Sequence, residues 1–112
     1  MSTIVYKLLS ADNAQIASTV GNLYAVPSST TGYIKSIALF NTNATPELVK
    51  LWFANNGTGA TENQFFEMQL NASASWLIKF GDPLPLVAAA KIRGVTTTAS
   101  KVNVAIWGRE DS

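Results

Sequence analysis

Apolar residues recur at every second position through much of this chain, and Gly, Pro or Asn closes each run. Val49, Leu51 and Phe53 alternate with Leu48, Lys50 and Trp52. Phe66, Met68 and Leu70 alternate with Phe65, Glu67 and Gln69. Trp76, Ile78 and Phe80 alternate with Leu77 and Lys79, and Val102, Val104 and Ile106 with Lys101, Asn103 and Ala105. Successive side chains of a strand point to opposite faces, so period two means a strand with two unlike faces, whereas a helix needs a period of 3.6. Further strands are expected at Ile4–Leu9, Gln15–Thr19, Leu23–Val26, Tyr33–Phe40 and Lys91–Thr97. No helix is required anywhere. Short strands with turn signals every 8–12 residues or so lead to an all-β, single-domain antiparallel β-sandwich or jelly roll over residues 1–112.

The punctuation places the connections. Pro27 should end its strand, since proline cannot donate to a ladder, and Ser28–Gly32 reads as a turn. Asn41-Thr42-Asn43-Ala44-Thr45-Pro46 reads as a hairpin turn between two strong strands. Gly81-Asp82-Pro83-Leu84-Pro85 reads as a stiff crossing from one sheet to the other. The polar segment Asn55–Gln64 is long for a hairpin loop, which makes it a partner-contacting loop or a slack solvent loop.

Composition narrows function by exclusion. The chain has no histidine and no cysteine. It therefore lacks the commonest general base and transition-metal ligand, as well as thiolate nucleophiles and disulfides. A net charge of +1 provides no field to gather nucleic acid or anionic lipid. The expectations are no enzyme, no cofactor, no metal, no nucleic-acid partner and no membrane partner. No signal peptide or membrane-spanning segment is read, so synthesis as a soluble cytoplasmic chain is expected. Glu67 and Asp82 would be the pair to watch for glycosidase chemistry, but one fits the polar side of a strand and the other a turn. Gly57-Thr58-Gly59 lacks the lysine and helix of a phosphate loop. The sequons at Asn43, Asn56 and Asn71 all fall in expected turns, where Asn is favoured for its backbone mimicry.

Contact chemistry is better represented. Only 13% of residues are charged while 47% are hydrophobic, against about 25% charged in an ordinary soluble domain. Such a surface suits a chain partly covered by neighbours. Trp76 falls on the more apolar side of its strand. Trp52 and Trp107 fall on the opposite side of theirs, beside Lys50 and Arg109, which suits interface anchors. The candidate interface set is Trp52, Lys50, Trp107, Arg109, Asn55, Asn56, Glu62, Lys91 and Arg93. Lys91 and Arg93 share one face of a strand, with Lys101 on a neighbour.

From residue 22 to 110, the order of strand endings resembles a family of small virion structural proteins of tailed bacteriophages. The matching segments are Ile34–Thr42, which ends in Asn-Thr, the apolar strand and polar loop of Val49–Asn56, Pro85-Leu86, Ile92-Arg93-Gly94-Val95, and Val102–Glu110 with its Gly-Arg-Glu close. One departure stands out: where the family often shows Gly-Asp before the penultimate strand, this chain has Ala89-Ala90-Lys91. The resemblance implies a β-sandwich that assembles on a capsid or tail as a small homo-oligomer, a trimer in the first instance, with no catalytic residues. The expectation is a capsid decoration (cement) protein located in the virion, with the major capsid protein or another virion protein as partner. The alternatives are a tail, neck or fibre-associated module and a carbohydrate-binding module using Trp52 or Trp107.

Overall fold

The computed structural model describes residues 6–11, 14–54 and 63–111. It contains eight strands: β1 (Lys7–Leu8), β2 (Gly21–Ala25), β3 (Thr31–Asn41), β4 (Glu47–Ala54), β5 (Asn63–Leu70), β6 (Ser75–Leu86), β7 (Lys91–Thr96) and β8 (Val102–Asp111). They form two antiparallel sheets, sheet I in the order β1-β8-β3-β6 and sheet II in the order β2-β7-β4-β5. Six of the seven connections between these strands pass from one sheet to the other, and only β4–β5 stays within its sheet. Two four-stranded sheets woven in this way are an eight-stranded jelly roll.

The alternation in the sequence becomes the core. Ile37, Leu39, Val102 and Ile106 of sheet I and Val49, Leu51 and Ile92 of sheet II are fully buried in one cluster. Each such side chain contributes about 1.5–3 kcal/mol on burial.

Three expectations about connections are corrected. The turn after Asn41 is not a hairpin, because β3 and β4 lie in different sheets. Asn41 is fully buried and dictates the crossing. Its amide nitrogen donates to the carbonyls of Thr45 (3.0 Å), Leu70 (3.1 Å) and Asn71 (3.2 Å), and its Oδ1 accepts the Asn43 N–H (2.9 Å). Asn43 Nδ2 then donates to Glu47 Oε2 (3.1 Å), and the Thr98 N–H donates to Glu47 Oε1 (2.7 Å). This polar corner ties β3, β4, the end of β5 and the β7–β8 turn together.

The proline segment is not a crossing either. Residues 81–85 continue β6, with a register break that sets residues 80–83 against Lys35. β6 is the edge of sheet I, the position at which a sheet accommodates proline. The crossing falls at residues 87–90, with Ala89 at φ 69°.

Gln15–Thr19 does not form a strand. Gln15 makes an isolated bridge to Asn103. The segment instead bonds both sheets: the Val104 N–H donates to Ala14 O, the Ile16 N–H to Val102 O, and the Thr96 N–H to Ala17 O. Its backbone is divided between the two layers and cannot extend either ladder, while Ile16 plugs the core. Of the expected strand Ile4–Leu9, only Lys7–Leu8 forms a strand, Tyr6 and Leu9 falling outside it, and Ile4 and Val5 lie outside the described residues. The loop expected at Asn55–Gln64 is shorter at its far end, since Asn63 and Gln64 already belong to β5.

A second tie joins the sheets at the opposite end. The Tyr24 hydroxyl of β2 donates to Glu110 Oε2 of β8 at 2.6 Å, and Lys7 Nζ lies 3.1 Å from Glu110 Oε1. Gly32 leaves room for this, because a Cβ there would stand 3.0 Å from the Tyr24 hydroxyl and 3.2 Å from Val26 Cγ2. Burial, reinforced by the bond to Glu110 and by its charge, pushes the Tyr24 hydroxyl well above its ordinary pKa of 10.0. The Tyr24 bond, with Lys7 adding to it, holds the Glu110 carboxyl below its ordinary 4.5 against an opposing effect of burial.

The stability due to ionised Glu110 is present above about pH 4.5 and is lost as pH falls through its lowered folded value. The stability due to neutral Tyr24 is complete below pH 10 and falls as pH rises beyond it. Urea unfolding across the pH range should show Glu110→Gln flattening the acid limb and Tyr24→Phe flattening the alkaline limb. Limbs unchanged by these substitutions would count against this tie.

Candidate interaction surface

A two-layer sandwich has two outward faces, and the candidate residues divide between them. On sheet II, the outward row through Trp52 contains Arg93, with Gln64 and Asn22 beyond. Lys50 stands beside Val95 and Glu67 in the next row, and Lys91 beside Ala54 and Ala25 on the other side. On sheet I, Trp107 and Arg109 project from β8 on the opposite side of the molecule. The two Trp–cation pairs are therefore not parts of one patch. Asn55, Asn56 and Glu62 lie outside the described residues.

The tryptophans differ sharply in accessibility. Trp52 is only 8% exposed although it lies on the outward side of β4, which leaves little of its ring for a partner. Trp107 is 45% exposed. Trp76 is in register with core-facing Leu39, as its alternation suggested, yet it is 47% exposed. It stands near the start of an edge strand, with no further strand to cover it.

Arg109 is engaged locally. Its guanidinium lies 4.3 Å from the Tyr33 ring centroid, and its Nε is 3.6 Å from Asp111 Oδ2. Cation–π stacking of this kind contributes about 0.5–1 kcal/mol at an exposed site.

Sheet I shows a feature that the sequence reading missed. Register puts Ala38 between Ala105 and Leu77, Phe40 between Asn103 and Ser75, and Ser36 between Trp107 and Lys79. These three rows share the outward face. Phe40 is 41% and Leu77 49% exposed, and with Trp107 they surround the small pair Ala38 and Ala105. An open groove of about 680 Å³ lies over this region. Lys79 is the one charged side chain in the three rows. The signal was present in the sequence, since Ala38 and Phe40 alternate with buried Ile37 and Leu39. It becomes a patch only once β6 and β8 are known to flank β3.

The carboxylates Glu67 and Asp82 fall in different sheets, on β5 and β6. Glu67 accepts a hydrogen bond from Gln64 Nε2 at 2.9 Å. Among the described residues, no three Asp or Glu side chains form a group able to hold a metal ion.

No family model matches the chain, and neither does any curated protein.

Mutating two of the tryptophans should give opposite results. Trp107→Ala is expected to leave the melting temperature of dilute protein nearly unchanged, within about 0.5 kcal/mol, as for surface sites. Trp52→Ala should destabilise by about 3 kcal/mol, the lower end for removal of a buried aromatic ring. Thermal melts followed by circular dichroism distinguish the two, and equal effects would contradict the assigned burial.

Proposed function

We propose that this protein is a structural subunit of a virus particle, a capsid decoration protein of the tailed-phage kind, acting by binding and not by catalysis. The observation that carries this reading is the outward face of sheet I, where Phe40, Leu77 and Trp107 stand exposed around Ala38 and Ala105 with one charge among them. An exposed apolar patch on a small domain marks a surface that functions when covered. The residue pattern from Ile34 to Glu110 that resembles tailed-phage virion proteins supplies the particle, with the major capsid protein as partner. The jelly roll is also a common architecture of viral capsid and lectin domains, an analogy of fold and not of site.

The mechanism is mass action. A subunit that binds only the assembled shell, at many equivalent positions, lowers the free energy of that state alone. Each contact can be modest, because the number of sites multiplies its effect on the shell.

The test is to tag the protein in its native genetic context and purify the particles. Stoichiometric copies on the shell by cryo-electron microscopy, and heads that break at lower temperature when the protein is deleted, are the expected results. Its absence from purified particles would overturn the proposal. Saturable glycan binding abolished by Trp107→Ala would replace it with the carbohydrate-binding reading.

A further inference from the structure

We propose that the outer edge of β8 is a strand-acceptor site, filled by the chain's own segment ahead of β2, and that this segment releases as a unit while the two sheets stay folded. The ligand of the opened site is an extended peptide carrying one apolar residue at the position of Ile16. Nothing in this depends on the particle.

β1 pairs with β8 only at Trp107 and Gly108. From Ile106 back to Val102, the outer edge of β8 meets the segment instead. The Leu9 N–H donates to Ile106 O (2.7 Å), the Val104 N–H to Ala14 O (2.9 Å) and the Ile16 N–H to Val102 O (3.0 Å). The Ile106 N–H donates to Ser10 Oγ (3.0 Å), and Gln15 Nε2 donates to Asn103 Oδ1 (3.1 Å). The strap then passes to sheet II, where the Thr96 N–H donates to Ala17 O (3.0 Å). Most of these bonds join backbone to backbone, so the edge accepts an extended chain largely irrespective of sequence, as in strand addition. The side-chain requirement is a single plug, Ile16, fully buried between the sheets.

The same contacts make the strap separable. Ile16 is its one buried apolar side chain among the described residues, whereas β8 alone buries Val102, Val104 and Ile106. Ala17, Ser18 and Thr19 are exposed, and no hydrogen bond among the described residues engages Ser18 or Thr19, which lead on to β2. A segment with few buried apolar contacts opens at a lower free energy than the sheet centre. β8 does not depend on it, because β3 pairs along its other side from Asn41 opposite Val102 to Thr31 opposite Asp111. Release therefore leaves sheet I whole with one bare edge, and a bare edge is a template for another chain. The resident strap keeps that edge covered.

Hydrogen exchange of the full chain reads the release. Along a strand, alternate N–H groups face opposite neighbours. Val104 and Ile106 face the strap, so Asn103 and Ala105 face β3. The first pair should exchange at least about a hundredfold faster than the second, because the strap opens without global unfolding. A labelled synthetic peptide of residues 6–18 reads the site. Ile16→Ala in the full chain weakens the resident strap and leaves its site intact, so peptide affinity should rise at least about tenfold, while the same change in the peptide should lower it similarly. Gln15→Cys with Asn103→Cys, oxidised to a disulfide in a chain with no other cysteine, should lock the strap and abolish uptake. Equal exchange of the four amides would overturn the proposal, and so would no uptake by the Ile16→Ala chain with peptide up to about 1 mM, the local concentration of a short tether. If that variant folds poorly, exchange in the parent chain decides.

Discussion

Gly108→Ala is expected to cost this protein at least about 5 kcal/mol, the far end of what single substitutions do. Gly108 lies in β8 opposite Ile34 of β3. A Cβ built on it would land on the Tyr33 carbonyl oxygen and stand 3.0 Å from Leu9 Cδ1. The obstacle on one side is backbone, so rotamer change gives no relief. The two central strands of sheet I must part, or the register beside the Ile34/Ser36 irregularity must move. Either response disrupts the packing of Ile34 and Ile106, both fully buried. Chemical denaturation should show the loss, and an insoluble or unfolded product would agree with it. The matched control is Gly81→Ala, which has nothing within 4 Å of its added carbon and should melt within a degree or two of the parent. Equal melting of the two variants would show that β3 and β8 do not approach as closely as described.

Asn41→Ala should rank next, at about 4 kcal/mol. Removing the amide strands the carbonyls of Thr45, Leu70 and Asn71 and the Asn43 N–H, which it alone brings together. A buried group left without its partner costs about 1–3 kcal/mol, and the losses are not additive because some of these groups reach solvent. For a domain of this size the fall in melting temperature should exceed about 15 °C. Asn41→Asp is informative because it keeps the shape and the acceptor but loses the donors. If geometry alone mattered it would rescue stability. The hydrogen-bond account requires it to be as damaging as alanine or worse. A shift of only a few degrees for Asn41→Ala would mean that the turn holds by other contacts.

These two residues also show where sequence reading succeeds and where it stops. The runs at 49–53, 66–70, 76–80 and 102–106 were legible as strands, because period two is a local property and the fold preserves it. Fold class followed from the same pattern. Strand partners did not, since alternation reports the face a residue occupies and not the strand beside it. Residues 41–46 have the composition of a hairpin turn, and what ties Asn41 to the other sheet is the pair of carbonyls, Leu70 and Asn71, that reach it from a distant segment. Pro83 and Pro85 suggest a crossing because proline opposes pairing, whereas an edge strand accepts it. The same limit separated Trp52 from Trp76. Parity placed the first outward and the second inward, but position within the sheet reversed their exposure. The candidate surface was the least legible part, because Phe40, Leu77 and Trp107 are far apart in sequence and meet only through the β6-β3-β8 order.

That strand order has a bearing on how the molecule is made. β8, the last strand described, lies between β1 and β3 in the middle of its sheet. A ribosome delivering this chain from its N-terminus releases β1 and β3 long before the strand that joins them exists. Sheet I cannot close before residues 102–111 emerge: β3 can pair with β6 by then, but its other side and β1 wait for β8. Folds dominated by such distant pairings complete in about milliseconds to seconds, not microseconds. Nascent chains stalled before residue 102 should therefore be protease-sensitive and prone to capture by chaperones, and resistance should appear in a single step once β8 clears the exit tunnel.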